Sequence, residues 1–154
     1  MKKYGYFLSK VGLIEIVMVQ SQLSHIRFVE KQQFINSNDD IVIANCCQQL
    51  AMYFDKKLTS FSLPVILHGT PFQELVWSKI ATIPYGTTLT YGQIAQKIGF
   101  PKAYRAVGSC LNKNPLAIVI PCHRVVSKNN KDIKYRYGVG IKNSLLAQEN
   151  NVIK

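Results

Sequence analysis

The amino-acid sequence predicts an α/β protein of the α+β kind. A small β-sheet with one helix is followed by a helix-turn-helix unit of winged-helix-like layout. Three observations predict it. Two runs of strand character stand near the N-terminus, helical apolar spacing dominates the rest, and a Pro- and Gly-bearing segment, Thr59–Gly69, separates the two. At 154 residues the chain can bury a sizeable core, and 47% hydrophobic against 18% charged residues excludes a disordered polymer.

The first unit is expected at residues 1–68, linker included. GLIEIVMV (Gly12–Val19) and QLSHIRFV (Gln22–Val29) are separated only by Gln20-Ser21, which predicts a hairpin. Asn38-Asp39-Asp40 supplies short side chains that accept from backbone N–H groups, so a helix is expected to start there and run through IVIANCCQQLAMYF. Cys46 and Cys47 fall inside it and read as small residues of an amphipathic helix.

The second unit is expected at residues 69–154. Thr70, Pro71 and Gln73 make a capping box with proline at the first helical position, ahead of an apolar face of Phe72, Leu75, Val76 and Ile80. Thr90 and Gln93 repeat the box before Tyr91, Ile94, Ala95 and Ile98. After Gly99-Phe100, PKAYRAVGSCLNKN carries Ala103, Ala106, Val107 and Cys110 at helical spacing, so two short helices joined through glycine make a helix-turn-helix. LAIVI (Leu116–Ile120) reads as a buried strand, SKNNKDIKYRYGVG as a basic loop and IKNSLLAQEN as a last helix.

Lysine plus arginine number 19 against 8 acidic residues, a net charge of +11. The excess is regional: up to His68 there are seven basic and five acidic residues, and beyond it twelve and three. A basic half that carries a helix-turn-helix predicts a polyanion partner. The outer side of its second helix would present Lys102, Arg105, Ser109, Asn112 and Lys113 beside the small Ala106 and Gly108. Small residues let a backbone come close, which suits DNA shape and phosphates better than a base code.

No apolar run nears the roughly 20 residues of a membrane span, and the start lacks a signal-peptide pattern, so a cytoplasmic protein is expected. The cysteines (46, 47, 110, 122) and histidines (25, 68, 123) show no zinc spacing; free thiols and no metal are expected.

The motif that carries chemistry is PCHR, Pro121–Arg124. A cysteine behind an apolar run is ordinarily a core thiol. Here Pro121 ends the run and turns the chain, which puts Cys122 at an accessible mouth, with His123 and Arg124 beside it to lower its pKa. Glu74, Asp132 and Glu149 are the acids of this half, and any of them could orient His123. Neighbours on an extended chain point apart, so Cys122 and His123 need a bridging water or a sharp bend. Three readings stand on the residues alone: a thiol nucleophile acting on DNA, a Cys-His-Glu hydrolase, and a winged helix that binds DNA with a silent thiol.

PCHRVV, preceded by Asn114-Pro115 and by RAVG at Arg105, and further back by GTPFQ at Gly69, VW at Val76, IPYG at Ile83 and TYG at Thr90, resembles the O6-alkylguanine-DNA alkyltransferases, bacterial members above all. The similarity runs from Gly69 to Glu149, and the N-terminal part agrees in layout. The resemblance implies a ribonuclease H-like layout for residues 1–68 and a DNA-binding alkyltransferase domain at 69–154. It implies a single-turnover methyltransferase, a monomer without cofactor or protein partner, that repairs O6-alkylguanine, mainly O6-methylguanine, by irreversible transfer to a cysteine. The main alternative is a non-catalytic module that binds alkylated DNA and recruits other repair factors.

By position, Cys122 would accept the alkyl group, His123 would deprotonate it through water, Glu149 would polarise His123, and Asn114 would hold the turn together. Tyr91 would help swing the nucleotide out and donate toward guanine N3, while Arg105 would fill the space left in the base stack. The backbone at Tyr135 and Arg136 would cover the base edge, with the carbonyls of Cys122 and Val125 reading its amino group. Docking is implied through the minor groove of double-stranded DNA. Where many members carry a small residue and paired glycines after the tyrosine, this chain has Arg136 and Tyr137. Bulk at Tyr137 is expected to narrow the pocket and favour methyl over benzyl.

Overall fold

The structure, a computed structural model, describes residues 1–129 and 134–151. The chain divides into two compact units, one of Met1–Leu67 with Pro115–Ala117, the other of His68–Asn114 with the chain from Ile118 onward.

In the first unit three strands, β1 (Lys2–Ser9), β2 (Gly12–Val19) and β3 (Gln22–Val29), form an antiparallel sheet in that order. Gln20 and Ser21 join β2 to β3 at φ 51° and 64°, the left-handed pair that a two-residue hairpin requires. The sequence reading missed β1. Its two lysines and serine blur the alternation, and it forms by pairing along its whole length with β2, Lys2 opposite Val19 through Ser9 opposite Gly12.

Helix α1 (Ile41–Phe54) starts where the aspartates predict, Asp40 accepting from Val42 N at 2.9 Å and Ile43 N at 3.3 Å. It buries Ile43, Cys46, Leu50, Tyr53 and Phe54. Gly5 marks its close approach to the sheet, since a Cβ there would collide with the Ile43 side chain.

LAIVI is not a strand, contrary to expectation. Leu116 and Ala117 pair with Ile26 of β3, Ala117 N donating to Ile26 O at 2.8 Å, and Ile118 then turns the chain at φ 71°. An extended run cannot continue through a left-handed residue.

The second unit comprises α2 (Pro71–Ile80), β4 (Leu89–Thr90), α3 (Tyr91–Lys97), α4 (Tyr104–Asn112), a 3₁₀ turn (Cys122–Arg124), β5 (Val125–Val126) and α5 (Val139–Asn151). Both capping boxes form. Thr70 Oγ1 accepts from Gln73 N at 3.1 Å while Gln73 Oε1 accepts from Thr70 N at 3.0 Å, and Thr90 and Gln93 repeat this at 3.1 and 2.8 Å.

On α2 the inward place expected for Leu75, which is exposed, goes to Trp77, whose Nε1 donates to Cys110 O at 2.9 Å and ties α2 to α4. Helix α4 begins at Tyr104 rather than Pro101, because a turn closed by Ala103 N donating to Phe100 O precedes it. Lys102 therefore lies before the helix. Tyr91 opens α3, while α4 ends against Asn114. No helix among the described residues is long and apolar enough to cross a membrane.

Candidate active site

Ile120 leads into Pro121 and then a single 3₁₀ turn, in which Cys122 N donates to Ile120 O at 2.8 Å and Arg124 N to Pro121 O at 2.9 Å. This is a sharp local bend at Cys122 and His123, where an extended chain would point the two side chains apart. The expected open mouth is corrected, because Cys122 is 3% exposed. Buried Asn114 fastens the turn, its Nδ2 donating to Ile120 O at 2.8 Å and lying 3.0 Å from Cys122 Sγ. Its own carbonyl accepts from Arg136 Nη1 at 2.9 Å.

The residues that follow the thiol, His123 and Arg124, enter a buried polar group with Glu149. Glu149 Oε2 is 2.7 Å from His123 Nε2, and both Glu149 oxygens accept from Arg124, at 2.8 Å from Nε and 3.0 Å from Nη2. Arg124 also donates Nη1 to Ile83 O at 2.7 Å, with its guanidinium 5.6 Å over the Tyr85 ring. A carboxylate held by a fork of this kind stays ionised, so the proton shared with His123 sits on Nε2 and Nδ1 is the acceptor nitrogen. Among the described residues that Nδ1 has no hydrogen-bond partner.

Burial holds the His123 pKa below its ordinary value despite the pull of Glu149, so the imidazole is neutral at pH 7. Burial also pushes the Cys122 thiol up to about 12, opposed only in part by the Asn114 N–H and by the charges of Lys142 and Arg136. The expectation that His123 and Arg124 would lower this pKa is corrected on both counts. Arg124 is spent on Glu149 and His123 carries no charge, which leaves a protonated thiol that needs a base to react.

Cys122 lines a cavity of about 520 Å³ together with Tyr91, Arg105, Gly108, Ser109, Tyr135 and Arg136 of the expected residues. Tyr91 lies across from α4, its ring 3.8 Å from where a Cβ on Gly108 would stand. Lys102, Ala106 and Lys113 are exposed and stand off this wall. Buried Val125 offers a carbonyl that already accepts from Lys142 Nζ at 2.7 Å. Tyr137 stands behind Tyr135, edge-on at 5.8 Å between centroids, with Arg136 5.4 Å over its ring. Tyr137 itself is not among the residues that line the cavity.

Of the three acids, Glu149 meets His123, Glu74 sits in the first turn of α2, and Asp132 lies outside the described residues. Sequence reasoning missed the Arg124 fork, Lys142 and Tyr104, of which the last two line the cavity. The signal for Lys142 was available. With Leu145, Gln148 and Glu149 it forms the buried stripe of α5, helically spaced but polar.

The family model described as "6-O-methylguanine DNA methyltransferase, DNA binding domain" matches residues 71–151, and the one described as "6-O-methylguanine DNA methyltransferase, ribonuclease-like domain" matches residues 2–67. The chain belongs to the 6-O-methylguanine DNA methyltransferase family. A "Methylated-DNA--protein-cysteine methyltransferase" of Methanosarcina barkeri is 40% identical over 156 residues, which cover 98% of this chain and 99% of the relative. One from Mycolicibacterium paratuberculosis is 38% identical, with 97% and 93% covered.

Among solved structures, Mycobacterium tuberculosis O6-methylguanine methyltransferase matches with a TM-score of 0.87 at 36% identity, over 98% of this chain and 94% of that one. Mycobacterium tuberculosis OGT in complex with DNA matches with a TM-score of 0.88 at 36% identity, over 97% and 93%. In methyltransferase terms, the DNA binding domain match spans α2 to α5 and so holds Cys122, His123, Asn114 and Glu149, while the ribonuclease-like domain match holds the sheet and α1.

Proposed function

We propose that the protein repairs O6-alkylguanine in double-stranded DNA, chiefly O6-methylguanine, by irreversible transfer of the alkyl group to Cys122. The observation that carries this reading is the buried relay. The Cys122 thiol lines a cavity, Asn114 grips it at 3.0 Å, and the neighbouring His123 keeps Nδ1 open while Nε2 is held by Glu149 at 2.7 Å.

In the proposed step His123 Nδ1 takes the thiol proton through a water. The sulfur then attacks the alkyl carbon in line, an S–C bond forming as the C–O6 bond breaks. The electron pair goes to the purine, the Tyr91 hydroxyl passes its proton to N3 so that guanine departs neutral, and the proton held by His123 returns to the Tyr91 oxygen through solvent. Glu149 stabilises the imidazolium, and Arg124 keeps Glu149 ionised while it does so. A thiol held near 12 is a strong nucleophile once its proton is gone. The product is a thioether without a leaving group, so one chain repairs one lesion, and no cofactor enters the balance.

The DNA face is assigned to α4 and the turn before it. Arg105 at the cavity rim fills the space of the flipped nucleotide, while Ala106, Gly108 and Ser109 permit close approach in the minor groove and Lys102 and Lys113 meet phosphates. The basic excess beyond His68 and the relative solved with DNA support this partner. Tyr135 and Arg136 close over the base, with Tyr137 behind them and the Val125 carbonyl beneath. We place the protein in the cytoplasm, where thiols stay reduced, and as a monomer.

The test is a duplex carrying one O6-methylguanine, followed by intact protein mass and peptide mapping. One methyl per chain on Cys122, stopping at one equivalent, is expected. Unchanged mass with lesion DNA still bound would make the protein a lesion-binding module instead.

A further inference from the structure

Building on the alkyl-transfer reading, we propose that Tyr104 is a positioning residue for Arg105. Its ring holds the guanidinium at the cavity mouth and enters the groove with it as a two-residue wedge.

Tyr104 is the first residue of α4 and is 48% exposed. It contributes nothing to the helix's buried face, which is Val107, Cys110 and Leu111. Other rings of this unit have structural work: Trp77 bonds Cys110 O, Phe72 packs edge-on against Phe100 at 5.8 Å, and Tyr135 packs on Tyr137. The Tyr104 ring instead carries the Arg105 guanidinium 5.8 Å from its centroid, inside the distance at which a cation is drawn to an aromatic face. Both side chains line the cavity that holds Cys122.

An exposed arginine samples many rotamers, and binding must freeze them. A ring alongside confines the guanidinium before DNA arrives. Once Arg105 occupies the space of the flipped nucleotide, an aromatic face beside it is suited to stack on whichever base or sugar borders the gap. A free nucleobase leaves no gap to fill, so the contribution of Tyr104 belongs to duplex substrate alone.

The experiment compares single-turnover transfer from O6-methylguanine in a duplex with transfer from the free O6-methylguanine base. Tyr104→Ala should lower the duplex to free-base rate ratio about fivefold, the scale of an exposed cation–π contact. Tyr104→Phe should restore it, since the ring and not the hydroxyl acts. In an Arg105→Ala background the same substitution should change the ratio by less than about twofold, because the two act as one unit.

An unaltered ratio in Tyr104→Ala overturns the inference. So does an equal loss on both substrates, which marks a merely structural role, and so does a full fivefold loss without Arg105. Wild-type protein that reacts with neither substrate overturns the alkyl-transfer reading itself, and this inference with it.

Discussion

Each unit of the molecule buries one glutamate against an arginine, and the two networks end differently. In the sheet, Glu15 accepts from Tyr6 Oη at 2.6 Å and Arg27 Nε at 2.7 Å, and the Tyr6 oxygen in turn accepts from Phe34 N at 3.2 Å and Gln33 N at 3.4 Å. Every link closes on the protein's own backbone or side chains, which fastens the segment around Gln33 to β1. In the second unit Glu149 is held as firmly, but the chain of bonds ends at His123 Nδ1, on the residue that follows Cys122. A buried carboxylate is therefore structural when its partners are all spent on the fold. It becomes chemical when the last group in the chain keeps an acceptor for something that arrives.

The comparison breaks most visibly on the glutamates themselves. Glu149→Gln should slow alkyl transfer by up to about 10⁴-fold, as when a catalytic histidine loses the carboxylate that fixes its tautomer, and should destabilise the fold by about 3–5 kcal/mol, since a buried arginine loses its counter-charge. Glu15→Gln should cost about 1–3 kcal/mol of stability, because Arg27 is 35% exposed and keeps access to water, and should leave the transfer rate alone. Quench-flow and urea unfolding on both variants check this. A Glu149→Gln protein reacting at the wild-type rate would sink the relay.

Acidity provides the next test. Because the His123 pKa is held below 6.5, the rate should stay level from above that value through pH 9 and fall only below it, as the base becomes protonated. It should not climb through pH 9, the ordinary cysteine value, since the Cys122 thiol lies near 12.

Stability follows the same signs. The unfolded chain protonates His123 first as pH drops, so stability falls below about 6.5. It ionises Cys122 first as pH rises, so stability also falls between about 9 and 12. Urea midpoints of wild type and Cys122→Ala should converge in shape at alkaline pH only if Cys122 is not the source.

The two units also differ in charge, which gives a smaller effect. Affinity for undamaged duplex should fall linearly in log K against log[salt], and Lys102→Ala and Lys113→Ala should each reduce the slope by about 1. Lys2→Ala in the near-neutral sheet should leave it unchanged. A flat plot for wild type would remove DNA from the α4 face. The smallest effect belongs to Tyr137→Gly. By removing the support behind Tyr135 it should raise the benzyl to methyl rate ratio, by less than about tenfold, and an unchanged ratio would mean that Tyr135 alone sets the wall.

Much of the architecture is legible in short stretches of sequence because its causes are short-range. Asp40 caps α1, the two threonine boxes start α2 and α3, and Gln20-Ser21 turns the hairpin, each within a few residues of the groups it satisfies. PCHR marks a candidate nucleophile for a similar reason, since proline, thiol and imidazole are contiguous. β1 and the bridge at Leu116 were not legible, because both exist only through partners elsewhere in the chain.

The site divides along the same line. By itself the sequence pointed to the family and to Cys122 and His123 as candidate nucleophile and base, whereas the residues alone left three acids open for His123, of which the family resemblance favoured Glu149. Only the tertiary structure brings Glu149 to His123 across 26 residues, turns Arg124 away from the thiol, buries Lys142 against Val125 and pushes the Cys122 pKa up instead of down. The reason is physical. Caps and turns are satisfied by neighbours in the chain, but the pKa of a buried group is set by how much water the whole fold removes from around it and which distant charges it leaves in return.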